Sequence, residues 1–99
     1  MLTRLYIVVN QEDEDVVNDV KKTIFDRGFS FSFSPSREQP SLADCLDFFG
    51  TADLNEKEID DLLDYLNNDW DGQKDDCSAY GFNTKMFHPD VYYIQFQIQ

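Results

Sequence analysis

The chain has 99 residues, 41% hydrophobic and 15% aromatic, with 20 acidic against 8 basic side chains and a formal net charge of −12. That length supplies one hydrophobic core rather than two, and the apolar content excludes a disordered chain. The charge excludes direct binding to DNA, RNA or anionic lipid, which needs clustered Lys and Arg to displace counterions; a basic protein is the natural partner.

Residues 2–9 read as the first strand. Leu5, Ile7 and Val9 alternate with Tyr6 and Val8, so both faces are apolar and the strand is expected to be central in its sheet. One Arg, a short apolar run and no small-residue cleavage site argue against a signal peptide. No apolar stretch approaches the roughly 20 residues of a membrane-spanning helix. A cytoplasmic protein is expected, with Cys45 and Cys77 kept as buried thiols.

Asn10 can cap a helix over residues 11–27, whose first turn carries Glu12, Asp13, Glu14 and Asp15, where negative charge suits the helix dipole. Val16, Val17, Val20 and Ile24 form its apolar stripe, and Gly28 supplies the stop. Residues 29–34 alternate Phe and Ser, placing the rings of Phe29, Phe31 and Phe33 on one face of a half-buried strand that Pro35 ends. After a loop closed by Pro40, Ser41 caps a predicted short helix that carries Leu42, Cys45, Leu46 and Phe49 inward and stops at Gly50.

The best-marked helix follows. Asn55 and Glu58 have capping-box spacing, Leu54 is placed to staple onto Ile59, and Ile59, Leu62, Leu63 and Leu66 form the stripe. Residues 67–76 read as an acidic loop, and 77–83 and 91–99 as two strands of a closing hairpin joined by 84–90. The order β-α-β-α-α-β-β predicts an α+β fold: a two-layer sandwich in which an approximately four-stranded mixed sheet, with a right-handed β-α-β crossover, carries its helices on one face.

The stretch 53–76 holds ten acids (Asp53, Glu56, Glu58, Asp60, Asp61, Asp64, Asp69, Asp71, Asp75 and Asp76) against Lys57 and Lys74. Glu56, Asp60 and Asp64 stand at i, i+4 and i+8, so their carboxylates recur about every 6 Å along a helix, a phosphate-like interval. Such a face can occupy the nucleic-acid surface of a basic protein; it is equally the solvated side of a surface helix. Trp70 inside this stretch has the composition of an interface anchor, or else folds back over the end of the helix. The candidate partner surface is therefore Glu56, Asp60, Asp61, Asp64, Asp69, Trp70, Asp71, Asp75 and Asp76.

Other constellations are weaker. Asn67, Asp69, Asp71 and Gly72 match the start of a calcium loop, but the twelfth position is Ser78 rather than Glu and a strand follows, so no metal is expected. Cys45, Cys77 and His88 could supply a thiol and a base, yet the negative surroundings keep a thiol protonated. Neither a catalytic residue nor a cofactor is expected. The leading expectation is a non-enzymatic acidic inhibitor of a basic nuclease, toxin or DNA-binding protein, of the kind found among immunity and viral anti-defence proteins. The alternative is an adaptor or homo-oligomer subunit that uses an apolar face or the C-terminal strand as a pairing edge.

Overall fold

The computed structural model describes residues 1–83 and 85–99. Strand β1 (Leu2–Val9) lies in the middle of one sheet, as its two apolar faces predict, between β4 (Leu46–Asp53) and β7 (Val91–Ile98). Helix α1 (Glu14–Asp26) and the short edge strands β2 (Ser32–Phe33) and β3 (Arg37–Glu38) lie between β1 and β4 in the chain. Helix α2 (Glu56–Leu66), β5 (Asp71–Gln73) and β6 (Asp76–Tyr80) lie between β4 and β7. The sheet runs β2-β4-β1-β7-β6-β5, with β3 also pairing β4. Among the described residues every pairing is antiparallel.

The two-layer α+β class therefore holds, with two helices and seven strands among the described residues in place of three helices and about four strands of a mixed sheet. The β-α-β unit is split: β2, which follows α1, pairs β4, and β4 pairs β1, both antiparallel. Strands β1 and β2 therefore run in the same direction with β4 between them, and no two neighbouring strands among the described residues are parallel. The segment expected as a helix after Ser41 is strand β4. It turns Leu46, Phe48 and Ala52 to the core, with Gly50 between them. A Cβ at Gly50 would lie 2.7 Å from Cε1 of the Phe33 ring, so the ring fills the place that a side chain would take. Gly50 is thus a packing position in a strand and not a helix stop. Strand β7 is an interior strand between β1 and β6, which overturns its use as a free pairing edge; the edges are β2, β3 and β5. The 84–90 link is described except at Thr84, which lies outside the described residues.

Helix α1 is shorter than expected and is capped by Asp13, whose side chain accepts from the Asp15 N–H at 2.9 Å. Its end follows the expectation. Gly28 takes φ +106° and donates to Phe25 O at 2.9 Å, while Phe29 N–H reaches Ile24 O at 3.3 Å. This is the Schellman arrangement that satisfies terminal carbonyls. It also removes Phe29 from any strand, which is why the regular Phe-Ser alternation yields only a two-residue ladder. The ring of Phe29 is nevertheless buried, and those of Phe31 and Phe33 pack against the core.

Both helices cover the same face of the sheet. Val17, Val20 and Ile24 of α1 and Ile59, Leu62 and Leu66 of α2 join one core with Leu5, Ile7, Val9, Phe48, Ile94 and Phe96. No described helix is long and apolar enough to cross a membrane. The opposite face carries Arg4, Tyr6, Phe49, Tyr93, Gln95, Gln97 and Tyr80, and neither described helix lies over it.

Candidate functional site

Helix α2 is fixed at both ends, and that determines which acids face outward. Asn55 Oδ1 accepts from the Glu58 N–H at 2.9 Å and Glu58 Oε1 from the Asn55 N–H at 3.1 Å, completing the capping box. At the other end, orphan carbonyls find donors from the following chain. Trp70 Nε1 and Asn67 N donate to Leu63 O at 3.0 and 3.2 Å, Lys85 Nζ to Asp64 O at 2.7 Å, and Phe87 N to Leu66 O at 3.0 Å. With Ile59, Leu62 and Leu66 buried, Glu56, Asp60, Asp61 and Asp64 stand exposed on the outer side.

Some of that charge is locally matched. Lys74, in the turn between β5 and β6, lies 2.5 Å from Asp60 Oδ1, and Lys57 lies 3.6 Å from Asp61 Oδ2. Hydrogen bonding to Asp60 raises the pKa of Lys74. Both pairs are exposed and contribute little to stability. Glu56 and Asp64 have no cationic partner among the described residues.

The remaining candidates separate. The registers Asp71↔Ser78 and Gln73↔Asp76 put Asp71 and Asp76 on the sheet face opposite the helices, since Cys77 between them points into the core. Asp76 Oδ1 there accepts from Gln95 Nε2 at 3.4 Å. Asp75 occupies the β5–β6 turn beside Lys74, and the Asp69 backbone N–H donates to Asn67 Oδ1 at 2.9 Å. Trp70 takes the second of its two expected placements: it is half-buried against the core, with its indole N–H committed to Leu63. Tyr65 and Phe87 meet with centroids 5.9 Å apart, whereas Tyr80 stacks with Phe82 on the opposite face. The structure thus assembles Glu56, Asp60, Asp61 and Asp64, and disperses the rest.

Asn67, first position of the calcium-like loop, is buried with its oxygen used by Asp69. Gly72, φ +112°, serves the hairpin instead: a Cβ there would meet Asp76 O at 2.5 Å. Among the described residues no three His, Cys, Asp or Glu side chains are placed to hold a metal ion. His88 is buried, accepts from the Asp90 N–H at Nδ1 (3.1 Å), and so presents Nε2–H to Asp19 Oδ2 at 2.7 Å; neither nitrogen meets a cysteine. Burial and then the Asp76 and Asp75 charges push the Cys77 thiol up to about 11, and burial raises that of Cys45, against a thiolate role.

One network escaped the sequence reading. Asp47 is buried on the helix-free side, where Oδ1 accepts from Arg37 Nε at 2.8 Å and Oδ2 from the Tyr6 hydroxyl at 2.7 Å. The available signal was an acid between Leu46 and Phe48, since a carboxylate inside an apolar strand requires built partners. The chain matches no protein-family model, no curated protein and no solved structure.

Proposed function

We propose that the protein is a non-enzymatic acidic inhibitor that binds a basic, nucleic-acid-handling protein, such as a nuclease, toxin or DNA-binding protein, and blocks its nucleic-acid surface. The observation that carries this reading is the exposed stripe Glu56, Asp60 and Asp64 on a helix held by donors and acceptors at both ends. Carboxylates spaced about 6 Å apart on a fixed axis present a phosphate-like row without ordering a loop on binding. Asp61 widens the row, and Trp70 acts as its brace rather than as its anchor. Immunity and viral anti-defence proteins are the functional classes this reading suggests.

Immobilised protein exposed to a lysate of its source organism, washed at low and then high salt, tests the proposal. A basic nucleic-acid-handling protein is expected to elute with salt and to be lost when Asp60, Asp61 and Asp64 are replaced by Lys. Retention of the same partner by that variant would rule the α2 face out.

A second reading, an adaptor or oligomer subunit using an apolar face, is supported by Phe82, 85% exposed and stacked on Tyr80 at 5.4 Å near Tyr92. Association through that cluster should survive high salt and disappear with Phe82→Ser.

A further inference from the structure

The helix-free face contains a feature at odds with the charge of the molecule. Two of its 8 Lys and Arg residues, Arg4 and Arg37, line one concavity of about 240 Å³ together with Tyr6, Phe49, Gln95 and Gln97. The Arg4 guanidinium lies 4.1 Å over the Phe49 ring and makes no ion pair or hydrogen bond among the described residues, in a chain holding 20 acids. Arg37 spends Nε on buried Asp47, which leaves its terminal N–H groups uncommitted to Asp47. Tyr6 is held by the other oxygen of the same carboxylate. Gln97 adds an amide without a partner among the described residues.

We propose that this concavity binds a carboxylate-bearing ligand. Two planar guanidinium forks and side-chain amides suit a planar, two-oxygen anion. One fork is oriented by stacking on an aromatic ring and the other by a buried acid, so little ordering remains to be done on binding. The volume falls below the roughly 300–1,000 Å³ of pockets that enclose drug-sized ligands, which restricts the occupant to a small acid or one acidic terminus. The net charge of −12 opposes any anion, but charges beyond about 8 Å are largely screened at physiological salt. Two carboxylates on this face touch lining residues: Asp47, whose charge is paired with Arg37, and Asp76, which faces Gln97 across the β6–β7 register, draws the Gln95 amide and opposes an anion.

The test is an NMR titration of the isotope-labelled protein at constant ionic strength, following Arg4, Phe49, Gln95 and Gln97. Succinate represents a free small acid, and a short peptide with a free C-terminal carboxylate, beside its amidated twin, represents a protein-borne one. Sodium chloride and inorganic phosphate are the controls. Saturable shifts at these residues with succinate, or with the free-acid peptide but not its amide, are expected. The tighter of the two identifies the source. Arg4→Gln should weaken binding at least about tenfold, and Gln97→Glu should do the same by repulsion without altering Arg4. Asp76→Asn should strengthen it on the order of threefold, an outcome that unfolding cannot imitate. Shifts that chloride reproduces, saturation by phosphate alone, or affinity unchanged in both Arg4→Gln and Gln97→Glu would overturn the proposal.

Discussion

Gly50 illustrates how a single residue here depends on another far from it in sequence. The Phe33 ring stands where a Cβ would project, its Cδ1 2.8 Å away, and meets Phe48 edge-on with centroids 5.7 Å apart. Gly50→Ala should therefore destabilise the fold by about 1–3 kcal/mol. Adding Phe33→Leu should recover part of the loss, a non-additivity that denaturant melts of the two single variants and the double would reveal. Cys77 makes a different residue-level prediction. Its thiol is raised from 9.0 to about 11 by burial first and the Asp76 and Asp75 charges second. A group whose folded pKa lies above its unfolded one keeps its full contribution below the unfolded value and loses it as pH rises to the folded one. Stability should fall by about 2–3 kcal/mol between about pH 9 and 11, and Cys77→Ala should remove that part of the profile in pH-dependent melts.

At the scale of the element, α2 combines a strong start with an unfavourable finish. Its capping box satisfies donors and places acids at the positive end of the dipole, so Asn55→Ala should cost about 1 kcal/mol in thermal melts. Its last turn holds Asp64 and no basic residue, and Asp64 follows Asp60 at like-charged i, i+4 spacing. Asp64→Asn should accordingly stabilise the isolated protein by a few tenths of a kcal/mol while weakening partner binding. Improvement of both would argue that the acid serves neither. The start of this helix was legible because a capping box is local chemistry. Strand β4 was not, because its inward series includes Gly50 and Ala52, whose poor apolar signal is offset by Phe33 from another element. Leu42, Cys45, Leu46 and Phe49 meanwhile mimic a helical stripe between a capping Ser and a stopping Gly. The Phe-Ser run failed in the opposite way: its alternation was correct, but Phe29 was taken up by the end of α1.

For the whole molecule, a net charge of −12 should make salt act with opposite signs on folding and on binding. Raising salt from about 0.01 to 0.5 M screens self-repulsion and should raise the melting temperature, while weakening an electrostatic complex. A fall in melting temperature over that range would show that local pairs such as Lys74–Asp60 outweigh the overall repulsion. The acidic stretch was legible as composition, but its division between α2 and the opposite sheet face was not, since that depends on the β5–β6 register. The central place of β1 was legible from its two apolar faces; its partners were not. Leu5 lies opposite Gly50 on one side and Phe96 on the other. Of the seven described strands, β1 is the first to be synthesised and is walled on its second side only by β7, the last of the seven. Until residues 91–98 emerge, β1 offers an unpaired apolar edge to chaperones and to other nascent chains. A ribosome-bound chain stopped at residue 90 should be digested readily by protease, and one extended beyond Ile98 should be resistant. An interrupted message would then yield a polypeptide fit for degradation rather than a smaller working protein.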